Sequence, residues 1–191
     1  MKNINKSEIL KEKLKIALNS TARAISDELI NKPDQKNINE SKKLDFLNLE
    51  NLNSKNDFIR ARAESDSLAL KKKFSNEKIF RNNSPSNSSC KSLYSIAEKI
   101  RYELLGCKML KGIETNLLKN YTQNIQSKRK GQIKKKDDIL ISEAFELYML
   151  KKFYGIKLNT ITNEMLSFWE KDFNQVIEKH INFLKENLEF Q

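Results

Sequence analysis

Glycine, proline and cysteine are scarce in this 191-residue chain, which contains four, two and two of them. Sheet-rich folds and nucleotide-binding α/β folds need glycines in their turns, so both classes are disfavoured. The two cysteines, Cys90 and Cys107, cannot build a disulfide framework and do not have the spacing of metal ligands. The sequence has no run of about 18 apolar residues and no apolar leader, so we expect a cytoplasmic protein without a membrane span.

The formal net charge of +11 comes from 30 lysines and only 6 arginines, beside 22 asparagines. Arginine, rather than lysine, makes the bidentate contacts to phosphate and bases, so this charge is weak evidence for nucleic acid. The strongest basic runs are residues 71–73 and 128–136, and Phe74 is the only aromatic residue adjacent to them. A basic nucleic-acid-binding protein therefore stays open as the alternative, although nucleic acid is the less favoured partner.

Apolar residues recur at steps of three and four and predict one all-α domain over residues 1–191, an irregular bundle of about five helices. The predicted helices cover residues 7–30, 57–74, 91–121, 137–154 and 162–188. Asn56 is expected to cap the second helix, and Gly155 to end the fourth. Polar loops are predicted at about 31–56, 75–90 and 122–136, the first of which can hold one short extended segment.

Catalytic signatures are missing from the sequence, which has no phosphate-binding loop and no His-Glu-x-x-His pair. The single histidine, His180, falls between Val176 and Leu184 on the predicted apolar stripe and is interpreted as a packed or edge histidine. Cys107 lies on the stripe of the third helix, and Cys90 has no neighbouring cluster that lowers its pKa. We therefore expect no catalytic constellation, bound metal or cofactor on this chain.

The third predicted helix contains an unusual set of residues. Glu98 and Arg101 are three residues apart and can pair along one face of it. Gly106 and Gly112 lie inside it, where each glycine costs about 0.5–1 kcal/mol relative to alanine. This pattern indicates close approach by another segment. It fits either a tight helix crossing with a solvated ion pair or a docking surface for a partner subunit.

The two glycines cannot share one crossing, because six residues displace them by roughly 120° around a helix. Gly106 is next to the stripe position Cys107 and is predicted to admit another helix of the same chain. Gly112 is predicted to share a face with Lys108 and Asn116, four residues before and after it. That face is the candidate interface, which contacts either another segment of the chain or a partner subunit.

Several patterns occur in a fixed order along the chain. The main one is Glu98-x-x-Arg101-x-Glu103-x-x-Gly106, followed by Gly112-x-x-x-Asn116. Shorter patterns surround Arg23, the Arg62 and Asp66 pair, and Trp169. Together they resemble the N-terminal region of the CobT subunit of aerobic cobaltochelatase. The von Willebrand A-type domain of that family carries an Asp-x-Ser-x-Ser metal site. This sequence contains no such site, so we expect the resemblance to cover only the N-terminal region and not that domain.

The resemblance implies a non-catalytic, helical subunit or module of an ATP-dependent complex that inserts cobalt into a corrin ring during cobalamin biosynthesis. Such complexes are ligases that form nitrogen–metal bonds. The implied partners are a AAA+ chelatase subunit and a large subunit that holds the corrin. ATP and cobalt are then used by the complex rather than bound by this chain.

Overall fold

The computed structural model describes residues 6–27, 52, 54–128 and 135–191. Over these residues the chain is helical and contains no strand, which confirms the predicted all-α class. Two single-turn 3-10 helices, Lys136–Asp138 and Glu178–His180, accompany the α-helices. The α-helices are α1 (Lys6–Ile25), α2 (Lys55–Phe74), α3 (Glu77–Asn83), α4 (Ser88–Met109), α5 (Lys111–Ser127), α6 (Ile141–Tyr154), α7 (Thr160–Ile177) and α8 (Ile181–Glu186).

Helix α4 lies between two groups of helices. On one side α2 packs against α1, α4 and α5, and on the other α6 packs against α4, α7 and α8. Helix α6 is the most enclosed of them in proportion to its length, because six of its 14 residues are buried: Ala144, Phe145, Leu147, Tyr148, Met149 and Leu150. Apolar side chains around most of a helix are typical of a central position. The placement of α4 means that its side chains reach both halves of the core.

The predicted continuous helix over 91–121 is wrong, because the chain breaks at Leu110 between α4 and α5. Leu110 has extended backbone angles of φ −142° and ψ 115°, and it serves as both the C-cap of α4 and the N-cap of α5. Buried Leu117, Tyr121 and Ile125 fix α5 against α2 instead of prolonging α4. The apolar spacing of three and four continues across the break, so periodicity alone cannot detect it.

Two of the predicted loops are shorter than expected. Residues 75–90 contain α3, because the Asn76 side chain accepts hydrogen bonds from the Lys78 and Ile79 amides, and Phe80 stacks on Tyr94. Residues 122–127, predicted as loop, continue α5.

The cap of α2 is Ser54 rather than Asn56, in a reciprocal capping box with Asp57. Residues 28–51, which include the predicted extended segment, lie outside the described residues.

The last two predicted helices also need correction at their ends. Asp137 and Asp138 belong to a 3-10 turn, and α6 begins only at Ile141. Its predicted end at Gly155 is confirmed, since Gly155 adopts the left-handed φ of 64°. The predicted helix over 162–188 is divided by the turn Glu178–His180. None of the described helices is long and apolar enough to cross a membrane.

Candidate functional site

The pattern on α4 points mainly inward. The relative solvent exposure of Glu98 is 7% and that of Glu103 is 1%, and Gly106 is also buried. Carboxyl groups are rarely this buried unless they are paired or hydrogen-bonded. The surroundings of these residues therefore define what the pattern does.

Arg101 ties three parts of the chain together. Its guanidinium donates to both carboxylate oxygens of Glu98, at 2.7 and 2.9 Å. It also donates to the backbone carbonyl of Phe74 at 2.6 Å and to that of Leu188 at 2.8 Å. We call this arrangement the clasp. The predicted Glu98–Arg101 pair thus forms, but it is buried rather than solvated, and it fixes the end of α2 and the C-terminal segment to α4.

Glu103 follows Glu98 by five residues, about one and a half turns of α4, and is surrounded by hydroxyl groups. Its carboxylate accepts hydrogen bonds from Ser67 Oγ at 2.6 Å, from the Tyr121 hydroxyl, and from the Tyr154 hydroxyl at 3.5 Å. Burial raises the pKa of Glu103, and the nearby Lys99 ammonium opposes that rise in pKa. We call these residues the Glu103 network.

A cavity of about 290 Å³ opens beside the Glu103 network, between α2, α4 and α5. Lys99 lines it, with Nζ 3.4 Å from Glu146 Oε1 and 5.3 Å from the Tyr121 ring centroid. A carboxyl group of raised pKa beside a cavity is able to exchange protons. Both oxygens of Glu103 are nevertheless engaged by hydroxyl groups, so the arrangement favours a structural role.

Gly106 lies directly against α2. A Cβ atom at this position would come within 2.4 Å of both terminal methyl carbons of Leu70. Leu70 is fully buried, so it has little room to move aside. The close approach predicted at Gly106 is therefore present, and the neighbour is a helix of the same chain.

The second half of the pattern divides between the interior and the surface. Asn116 donates from Nδ2 to Asp66 Oδ2 at 2.7 Å, which connects α5 to α2. Burial raises the pKa of Asp66, whereas this hydrogen bond and the charge of Arg62 lower it. Gly112 is exposed, and a Cβ atom at this position would meet no neighbouring atom within 4 Å. Of the three candidate interface residues, Asn116 contacts α2, and Lys108 and Gly112 are exposed.

The break between α4 and α5 produces an exposed corner, which we define as residues 108–112. Met109 and Leu110 are apolar and exposed there, between Lys108 and Lys111. Leu110 provides no side-chain cap for α5. Two adjacent exposed apolar side chains flanked by lysines form a small surface of mixed character, suited to contact with another protein.

The two remaining family positions lie elsewhere. Arg23 is half-buried on α1. Trp169 is half-buried on α7, where its ring stacks on Phe173, and Lys136 Nζ lies 4.1 Å from a ring centroid of the indole. The Trp169 Nε1 atom is buried without a hydrogen-bond partner among the described residues. The structure does not bring these two positions together with the α4 pattern.

The other candidate chemical groups are isolated from one another. Burial raises the pKa of the Cys107 thiol to about 12, which makes it a poor nucleophile. Cys90 is exposed. His180 is exposed on a 3-10 turn, so the packed alternative is wrong and the edge alternative remains. In the part of the chain that the structure describes, no three His, Cys, Asp or Glu residues are grouped as metal ligands.

Both basic runs are partly neutralised by ion pairs. Lys73 pairs with Asp27, Lys128 with Glu143, and Lys136 with Asp172. Residues 129–134 lie outside the described residues. These pairs reduce the charge available to phosphate groups and weaken the nucleic-acid alternative.

Sequence reasoning missed the partners of the buried carboxyl groups. Ser67, Tyr121 and Tyr154 converge on Glu103 from three different helices. The available signal was the spacing of Tyr121 from Leu117, which places it on the buried face of α5. A tyrosine at a core position usually needs a hydrogen-bond partner, and Glu103 is that partner.

A family model described as "Cobalamin biosynthesis protein CobT" matches residues 9–191 of the chain. The match includes all of the pattern residues from Arg23 to Trp169, and it confirms the resemblance seen in the sequence. No solved structure matches the chain.

Proposed function

Because this chain belongs to the CobT family of cobalamin biosynthesis proteins, we propose that it serves as a helical, non-catalytic subunit or module of an ATP-dependent cobaltochelatase complex. In this proposal the complex inserts cobalt into a corrin ring, and a AAA+ subunit and a large corrin-binding subunit are its other components. The observation that carries the proposal is the family match over residues 9–191.

The internal use of the pattern residues supports a non-catalytic role. Arg101 is engaged by Glu98 and two backbone carbonyls, and Glu103 by hydroxyl groups. Asn116 is bound to Asp66. These side chains hold α2, α4 and α5 in fixed positions, which is what a rigid docking module requires.

The corner at residues 108–112 is the surface that we propose for docking to the complex. It carries Lys108 and Gly112 from the predicted interface, and it adds the exposed side chains of Met109 and Leu110. Apolar anchors at the centre of a contact provide most of its binding energy, and flanking charges steer the encounter. A partner surface with an apolar pocket and an acidic rim complements this corner.

A matched pair of leucines allows a sharp test of the docking surface. Leu110 is the N-cap of α5 and Leu140 is the N-cap of α6; both are exposed, and neither makes a side-chain cap. Aspartate at either position adds a capping acceptor at a helix N-terminus and one negative charge, although at Leu110 that charge also lies at the C-cap of α4. Leu110→Asp should abolish capture of the AAA+ or the large subunit in a pull-down, whereas Leu140→Asp should not.

Cobalt insertion tests the function itself. The tagged chain is mixed with both partner subunits, ATP, cobalt and a metal-free corrin, and the absorbance change of the corrin is followed. We expect insertion to require this chain and to fail with Leu110→Asp. Insertion at the same rate without the chain would refute the proposed function. Insertion and capture that survive Leu110→Asp would refute only the corner as the docking surface.

A further inference from the structure

A second cavity, with a volume of about 180 Å³, lies between α4, α6 and the C-terminal residues. Its walls are mainly apolar and include Ile100, Met149, Phe153, Leu184 and Leu188. We call it the strap cavity, because residues 187–191, which we call the strap, contribute four of its lining residues. It lies near the middle of α4, away from the corner, so an inference about it does not depend on the proposed function.

The polar side chains that line this cavity carry no net charge. Glu98 and Arg101 both line it, but they neutralise each other in the clasp. The other polar side chains at its edge are those of Tyr94, Asn187 and Gln191, which are uncharged. Transferring an ion into such surroundings is unfavourable, whereas an uncharged apolar molecule replaces water at little cost.

The strap covers the cavity through a few polar contacts. The Leu188 carbonyl accepts from Arg101, and the Gln191 side chain bonds to the backbone N–H and carbonyl of Asn76. Among the strap residues only Leu188 is buried, and Phe190, which also lines the cavity, is 77% exposed. Opening the strap therefore unpacks no helix, but it removes the Leu188 carbonyl from Arg101 and so breaks one contact of the clasp.

The size of the cavity points to one aromatic ring or two fused rings. An apolar cavity of about 150 Å³ in another protein stays dry and binds benzene. Drug-sized ligands usually occupy about 300–1,000 Å³, which is more than this cavity provides. From its volume, its apolar walls and its neutral edge, we propose that the strap cavity is a binding site for a small uncharged aromatic molecule and that the strap closes it.

The test uses benzene and indole as probes of the full chain, with labelled methyl groups observed by NMR. We expect saturable shifts of the Ile100, Met149 and Leu188 methyl signals. Ala97 lines the cavity from α4, so Ala97→Phe should fill it and abolish these shifts. Ser95→Phe, an exposed position on the same helix, is the matched control and should leave them unchanged.

Three outcomes would overturn the proposal. The first is the absence of saturable shifts in the unmodified chain. The second is scattered surface shifts that Ala97→Phe leaves in place. The third is binding that appears only in Phe190→Ala, because the Phe190 ring then fills the cavity in solution. If Ala97→Phe does not fold, Leu184→Trp at the cavity edge replaces it, with the same expected loss.

Discussion

The segment from Glu98 to Gly106 and the corner at residues 108–112 follow each other in the sequence but differ in nearly every physical respect. The first directs two carboxyl groups, a guanidinium and a glycine into the core. The second directs two lysines, two apolar side chains and a glycine into solvent. In α4 a polar pattern therefore occupies part of the interior, which is otherwise mainly apolar, and apolar residues occupy part of the surface.

The reason is that polar residues can specify packing as strictly as apolar ones. A buried charge is tolerated only where each of its partners is in place, so the clasp accepts one arrangement of α2, α4 and the strap. The exposed leucine and methionine at the corner have no such requirement within the chain. The proposed docking would give these two side chains an apolar partner surface.

The largest expected effect comes from breaking the clasp. Arg101→Leu leaves the Glu98 carboxylate buried without its charge partner and removes donors from two backbone carbonyls. Removing one member of a buried ion pair costs about 3–5 kcal/mol, so the free energy of unfolding in urea should fall by that amount. Arg101→Lys, which keeps the charge but lacks the planar fork, should lose less. Unchanged stability in Arg101→Leu would show that the clasp is dispensable.

The two glycines give a direct comparison of the interior with the surface. Gly106→Leu forces a side chain into Leu70 and should lower the free energy of unfolding by about 1–3 kcal/mol. The leucine side chain of Gly112→Leu would point into open space, so the free energy of unfolding of this variant should stay within about 0.5 kcal/mol of that of the parent. Thermal or urea unfolding of both variants measures the difference. Equal losses would remove the distinction between the two regions.

The contribution of Glu103 to the free energy of unfolding should change with pH, instead of being the same at every pH. Burial raises the pKa of Glu103 above its usual value of 4.5 in the folded state, so folding favours the protonated form. Its contribution to stability is complete below the unfolded pKa and is lost as the pH rises through the folded pKa. The stability of the parent relative to Glu103→Gln should therefore decline as the pH rises above about 4.5. Parallel stability curves for the two proteins would contradict this.

The smallest expected effect is at the corner. Leu110→Asp supplies the capping acceptor that α5 lacks, but its charge also lies at the C-cap of α4, where the helix dipole disfavours it. The free energy of unfolding should therefore change by less than about 0.5 kcal/mol. Leu140→Asp, which caps only α6, should gain about 0.5–1 kcal/mol. Together with the pull-down, this result separates loss of binding from loss of stability. A destabilised Leu110→Asp would mean that the unfavourable charge at the C-cap of α4 outweighs the cap gained by α5.

The fold class was predictable because the apolar spacing of three and four recurs along most of the chain. The boundaries were less predictable where local signals compete with tertiary packing. Gly106 and Gly112 weaken a helix near Leu110 but do not by themselves end one. The break lies at Leu110, and α5 packs on α2 after it. Similarly, Asn76 caps a short helix inside a stretch whose polar composition is typical of a loop.

The site was predictable only in part. The spacing of Glu98 and Arg101 predicted their ion pair, but its burial depends on Phe74 and Leu188, which are 27 and 87 residues from Arg101 in the sequence. The hydroxyl partners of Glu103 come from helices whose arrangement no local pattern encodes. The exposure of the corner was also hidden, because it follows from the break at Leu110.

The clasp also has a consequence for the order in which the chain folds. Bringing the Leu188 carbonyl to Arg101 closes a loop of 87 residues, and the entropic cost of closure rises by about 0.6 kcal/mol with each doubling of loop length. Contacts between distant residues of this kind usually form after local helices and their nearest packing. Until they form, water hydrates the guanidinium. We therefore expect docking of the strap to be a late step, so that its loss accelerates unfolding more than it slows folding.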